Sequence, residues 1–324
     1  MLGVTAGSRA GGVAAACAAV LIWASFLIIT RFAVQGTFTV AELLLLRLAP
    51  AALLLAPVMW RDGVLPRGLS WPRTLVIVVG AGIGFPAILM AGLQFAPASD
   101  AGALAPGMLP FWTALVAAAM LGEVPGPRRK IGLGMILTGA MMVGLWQVLV
   151  DAESGAWRGH LCFLTAAALW AVYTVVFRQS GLTPIHALAI GLFWSAVVGL
   201  PILLWVGVPF RGAGPEAILV MGLLQGLLMG FLSLLLYGYA VRALGAAETG
   251  AFGALVPILA LAGGAVFLAE PVDPLKVAGV VLVAAGVFMA SGILTRIAPR
   301  SGLAAVSRLT PRAARPAPAT THRR

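Results

Sequence analysis

Arg47 stands inside the apolar run LLLLRLAPAALLL, where a cation has little reason to be unless it binds something. Counted from residue 39, where the run opens, it lies about 12 Å deep at 1.5 Å per helical residue. Inserting a guanidinium at such a depth costs roughly 2.5–3.5 kcal/mol. Arg47 is therefore expected to face an interior and to find a partner there. Two roles fit: a cavity cation for an anionic group of a substrate, or a scaffold cation holding the backbone carbonyls of a broken helix. Glu42, five positions earlier, points roughly 140° away around a helix and is a poor partner. It suits a substrate amine or a coupling proton, or else a carboxylate placed at a helix N-terminus, where the dipole favours it.

Trp23, Trp170 and Tyr173 also lie at mid-run depth. Membrane tryptophans usually occupy the interfaces, and a buried indole N–H wants a hydrogen-bond partner. These three either line a cavity for an apolar or aromatic substrate or pack helices together. Pro110 and Pro257 each remove a backbone donor and leave a carbonyl free, which makes a static kink or a hinge. Glu123 and Glu270 end the same two runs, where they serve as structural or gating anchors offset by Arg128, Arg129 and Lys276. Asp100 and Glu248 open those runs and are expected to cap the helix N-termini and complement their dipoles, with proton coupling as the other reading. His186 is expected at the interface. Cys17 and Cys162 sit in separate apolar runs and form neither a disulfide framework nor a metal site. No cluster of catalytic or metal-binding type is visible, and neither cofactor nor metal is expected.

The elements that must position these residues are membrane spans. The chain is 61% hydrophobic and only 10% charged, against about 25% charged in an ordinary soluble domain. A span needs roughly 20 apolar residues. Ten such runs can be marked: 12–31, 39–59, 74–94, 99–121, 130–149, 159–178, 185–206, 216–237, 246–268 and 275–294. The net charge of +11 does not point to nucleic acid, because of where it lies. With a cytoplasmic N-terminus, the inner segments hold Arg9, Arg61, Arg67, Arg73, Arg128, Arg129, Lys130, Arg178, Arg242 and seven arginines from Arg296 to Arg324. The outer loops hold only Arg31, Arg158, Arg211 and Lys276. This bias predicts that both termini are cytoplasmic.

A shift of 147 positions superimposes rare residues: Trp23 on Trp170, Arg31 on Arg178, Pro110 on Pro257, and Glu123 on Glu270. Gly12, Gly132 and Gly139 likewise fall on Gly159, Gly279 and Gly286. Five spans per repeat is an odd number, so the second repeat must enter the membrane from the opposite side. Inverted repeats are typical of secondary transporters, whose halves rock about a midplane site. Glycines four apart, Gly222/Gly226/Gly230 and Gly80/Gly84, predict close helix contacts within the fold and leave a homodimer open.

Leu21-Ile22-Trp23-Ala24-Ser25, Leu46-Arg47-Leu48, Leu109-Pro110-Phe111-Trp112-Thr113-Ala114-Leu115 with Leu121-Gly122-Glu123, and Val256-Pro257-Ile258 with Leu268-Ala269-Glu270 together resemble the EamA-type ten-helix members of the drug/metabolite transporter superfamily. Ala24 stands where that family usually has Gly. The resemblance covers residues 12–294. It implies an all-α polytopic membrane protein of two inverted five-helix repeats, 12–149 and 159–294, after a short cytoplasmic N-terminus (1–11) and before a basic, disordered cytoplasmic tail (295–324). It also implies ATP-independent transport of a small metabolite through a central cavity. The expectation is a multi-pass plasma-membrane exporter of an amino acid or similar small molecule, with the substrate and the lipid bilayer as partners. A phosphorylated cargo would call for several deep cations, and only Arg47 is deep. The alternatives are a symporter of the other 5+5 inverted-repeat architecture, which the lack of Gly and Pro in residues 20–30 disfavours, and a membrane-embedded enzyme acting on a lipid.

Overall fold

The computed structural model describes residues 8–65, 68–150, 152–208, 210 and 212–294. The tail from residue 295, together with Arg67 and Arg211 of the charge pattern, lies outside the described residues. Helices begin where a polar cap meets an apolar run. The Ser8 hydroxyl accepts from the Gly11 N–H (3.1 Å) and opens α1 (Arg9–Gln35). Thr39 and Glu42 form a reciprocal capping box that opens α2 (Val40–Asp62). The run expected as one span at 74–94 is two segments, α3 (Trp71–Ala81) and α4 (Gly84–Phe95). At their junction the Ser195 hydroxyl donates to the Val78 carbonyl (3.1 Å) and accepts from the Ile83 N–H (2.9 Å), so a foreign side chain satisfies the interrupted ladder.

Two further spans break in matching places. One is α5 (Ala98–Leu104) with α6 (Leu109–Leu121), interrupted just before Pro110. After α7 (Pro127–Val150), α8 (Ala156–Ser180) and α9 (Pro184–Val206), the chain continues into α10 (Pro215–Gly222). That helix runs through a π-helical segment, Leu223–Leu232, into α11 (Ser233–Leu244). The second broken span is α12 (Ala246–Phe252) with α13 (Leu255–Leu268), interrupted just before Pro257. Proline lacks the N–H that would continue the ladder, so both breaks follow from the residue type. The chain closes the bundle with α14 (Pro274–Ala290), where Asp273 Oδ1 accepts from the Lys276 N–H (2.8 Å).

Eight of these spans are long and apolar enough to cross a membrane. The others are α7, with 24 residues and a basic first turn, and α14, with 17. The arrangement is compatible with the ten spans expected. No strand occurs among the described residues.

The glycines show that the repeats are inverted. A Cβ placed on Gly132 would meet the Gly286 carbonyl oxygen at 2.8 Å, and one on Gly279 would meet that of Gly139 at 2.9 Å. Numbers rise along α7 as they fall along α14, so these two equivalent helices run antiparallel. Gly12 lies against Ala243, and Gly159 lies against Ala96; adding 147 to Gly12 and Ala96 gives Gly159 and Ala243. The residues that match at the offset thus occupy matching contacts. Gly279→Ala is expected to cost about 1–3 kcal/mol through overpacking of the α7–α14 seam, measured as a drop in the thermal midpoint of the detergent-purified protein.

Candidate functional site

Arg47 lies on α2 with its guanidinium over the Phe26 ring of α1, 5.2 Å from the centroid. No hydrogen bond or ion pair reaches it from any described residue, and its Nη1 is buried. The scaffold role expected for it would require carbonyl acceptors, and none of the described carbonyls accepts from it. One turn along α1 from Phe26, the Thr30 hydroxyl accepts from Gln225 Nε2 at 3.0 Å. Gln225 is buried in the π-helical segment. Single π turns within α-helices often mark functional positions. The segment also fits tightly against α2: Gly226 lies on the Pro50 ring and the Leu46 carbonyl, and Gly230 lies near Ala51. Pro50 leaves that carbonyl without its helical donor, and the glycine lets the backbones close up. The expected use of Gly226 and Gly230 within the fold is therefore observed. Arg47, Phe26, Thr30 and Gln225 gather where α1, α2 and the π segment meet, at mid-span depth. Phe26, Thr30 and Gln225 did not stand out in the sequence; the only signal was a lone glutamine in an apolar run.

The aromatic candidates do not form one group. Trp23 packs on Tyr237 of α11, with ring centroids 5.1 Å apart. Trp170 lies between Phe85 (4.8 Å) and Tyr173 (5.2 Å). Tyr173 stacks on Phe177 and backs onto Gly80. Trp23 and Trp170 occupy equivalent places in the two repeats, each with its own aromatic neighbours. Trp112, beside Pro110, keeps a buried indole N–H without a partner.

Glu42 is buried, and both of its oxygens are engaged. Oε2 accepts from the Thr39 N–H (2.8 Å) and Oε1 from the Phe210 N–H (2.7 Å). It closes the helix cap and ties Phe210, after α9, to the start of α2, which is a structural use of the carboxylate.

The two helix-end glutamates differ. Glu270 reaches across to the start of α5, where Oε1 accepts from the Ala98 N–H (2.6 Å) and Oε2 from the Ser99 N–H (3.1 Å). Its carboxylate lies directly over Gly264, where a Cβ would collide with it. Glu123 instead pairs with Arg178 (2.8 Å) and remains exposed. That hydrogen bond holds the Glu123 carboxyl below the usual carboxylate range, but an exposed pair adds little stability. Arg178 makes the ion pair with Glu123, Arg129 adds a weaker electrostatic offset as expected, and Lys276 serves another acid. Gly264→Ala is expected to displace the Glu270 carboxylate and to lower stability by about 1–3 kcal/mol, read by thermal unfolding.

That other acid is Asp100. It was expected to cap α5, but α5 has no side-chain cap of its own, and Asp100 is fully buried. Asp100 Oδ1 pairs with Lys276 Nζ and Oδ2 with His160 Nε2, each at 2.9 Å. A carboxylate removed from water needs such partners more than α5 needs a cap. Glu248 likewise does not cap α12 and pairs with Arg9 (2.9 Å). His186 Nε2 lies 3.1 Å from the Gly63 carbonyl oxygen.

The two ends of the bundle therefore differ. At the Glu270 end, α5 and α13 pack closely, with Gly102 against Pro257 and Ala260. At the Glu123 end, α6 and α12 have no comparable packing. A surface groove of about 330 Å³ lies along α6 and the segment after it, lined by Ala114, Ala117, Glu123, Val124, Pro125 and Arg129, all of the first repeat.

Residues 10–145 and 157–292 each match the EamA-like transporter family. The chain belongs to this family. The EamA chain is thus a multi-pass membrane transporter and not an enzyme. It is 29% identical to a probable terminal-alkyne amino-acid exporter of Streptantibioticus cattleyicolor, over 83% of this chain and 90% of that one. It is 26% identical to the uncharacterized transporter YyaM of Bacillus subtilis, over 75% and 81%. It is 24% identical to a probable amino-acid metabolite efflux pump of Salmonella typhimurium, over 67% and 76%. A solved crystal structure shares the fold, with a TM-score of 0.60 at 19% identity, covering 90% of this chain and all of the other.

Proposed function

We propose that this transporter exports a small amphipathic metabolite, an amino acid or close derivative, across the plasma membrane by alternating access between its inverted repeats. The observation that carries this reading is Arg47: a guanidinium at mid-span depth with an aromatic face beneath it and no protein anion. A cargo carboxylate would supply the missing charge and form short, strong charge-assisted hydrogen bonds. The names of the exporter and efflux-pump relatives favour the same cargo class. The excess of Lys and Arg in alternate loops favours a cytoplasmic Glu123 end and cytoplasmic termini. The end at which α6 and α12 are not packed together would then face the cytoplasm, the loading side of an exporter. The repeats 12–149 and 159–294 would be the rocking units. The seam glycines of α7 and α14 and those of the π segment are used within one chain, so they offer nothing to a homodimer.

The test is uptake into proteoliposomes from pooled labelled amino acids, run beside pooled phosphorylated metabolites. Saturable uptake of the amino-acid pool, suppressed by excess unlabelled amino acid but not by the methyl esters, supports the reading. Uptake of the phosphorylated pool alone would overturn it.

A further inference from the structure

We propose that Glu270 is a latch that only one end of this carrier possesses, and that a single difference between the repeats, Gly264 against Ala117, sets its resting state. The inference rests on the alternating-access reading above. In a symmetric carrier, each helix-end glutamate would close its own end in turn. Here Glu270 closes its end by accepting two backbone N–H groups at the start of α5. The carboxylate reaches them by lying across Gly264, in space that any Cβ would fill.

Subtracting 147 from Gly264 gives Ala117. That residue carries the Cβ, and it is buried on α6 at the base of the groove beside Glu123. A Glu123 carboxylate cannot fold back over Ala117 as Glu270 does over Gly264. It stays out in solvent on Arg178. Its counterpart target, the start of α12, has no side-chain cap. The turns that deliver the two glutamates are otherwise alike. The residue before each is left-handed, Gly122 at φ 68° and Ala269 at φ 52°, and the N–H of each glutamate returns to the last helical turn, on Ala117 in one and Gly264 in the other. The difference therefore lies under the carboxylate and not in the turn.

A buried cluster reinforces the same end without a counterpart. Asp100, His160 and Lys276 tie α5 to α8 and α14, while their equivalents by offset are Ala247, Val13 and the exposed Arg129. The carrier accordingly rests closed at the Glu270 end and open at the Glu123 end, as in this structure.

Thiol labelling tests this without any cargo. In a Cys17→Ser/Cys162→Ser background, Ser99→Cys reports the Glu270 end, since Ser99 is buried under the latch. Val124→Cys, exposed in the groove beside Glu123, reports the other end. Both are labelled in nanodiscs with a polar maleimide. Gly264→Ala, and Glu270→Gln as a milder second variant, are expected to raise the Ser99→Cys rate at least tenfold. Ala117→Gly is expected to slow Val124→Cys labelling severalfold and to speed Ser99→Cys, whereas Ala118→Gly, which loosens the same helix on its exposed side, does neither. Unchanged rates in Gly264→Ala and Glu270→Gln would overturn the latch. Equal effects of Ala117→Gly and Ala118→Gly would overturn the role of residue 117. Because labelling needs no cargo, these outcomes are independent of whether amino acids are taken up.

Discussion

Lys276→Met is expected to cost about 3–5 kcal/mol, the largest single loss in the molecule, because it strands a buried carboxylate. Asp100 is inaccessible to solvent, its Oδ1 pairs with the lysine ammonium, and Arg31 acts on it electrostatically without an ion pair. His160 Nε2 holds the other oxygen at 2.9 Å. The double variant Lys276→Met/Asp100→Leu should recover most of the loss, since removing both members of a buried pair is often nearly neutral. It will not recover all of it, because His160 then lacks a partner, at a cost of about 1–3 kcal/mol. Thermal unfolding of the three proteins in one detergent checks this. Additive losses in the double variant would mean that the two charges do not depend on one another.

Arg47→Met is expected to reduce transport more than tenfold while leaving the protein as stable as before or slightly more so. Burying an unpaired guanidinium at this depth costs roughly 2.5–3.5 kcal/mol, and its contact with Phe26 returns only about 0.5–2 kcal/mol. Methionine removes the first term and keeps the packing volume. Residues kept at a cost to stability are commonly kept for function. Arg47→Lys is expected to restore little, because an ammonium lacks the planar fork and the ring-stacking face. Uptake and melting curves measured side by side decide the matter. A melting loss larger than the transport loss would make Arg47 a scaffold residue after all.

Much of the fold was legible because the membrane restricts what a chain can do. Apolar run lengths marked the spans, and the offset of 147 superimposes Gly132 on Gly279 and Gly139 on Gly286, the four glycines of the α7–α14 seam. Pro110 and Pro257 marked both helix breaks because proline's missing N–H acts locally. The break at Gly82–Ile83 was hidden, since it depends on a hydroxyl from Ser195, 112 residues away along the chain. The site was only half legible. Arg47 stood out because charge is rare at that depth. Gln225 and Thr30 owe their roles to a π turn that no residue pattern announces. Asp100 was misread for a related reason. Its place in the first turn of α5 suggests a cap, and only the fold brings His160 and Lys276 to it.

The central claim is that this transporter is a carrier with one site exposed to each side in turn. The most direct measurement is trans-stimulation: efflux of a labelled amino acid from loaded proteoliposomes, with and without the same unlabelled amino acid outside. A carrier that must reorient between turnovers is predicted to show saturable efflux that quickens when cargo waits on the far side. Efflux that rises linearly with concentration and ignores the far side would contradict alternating access and point to an open pore.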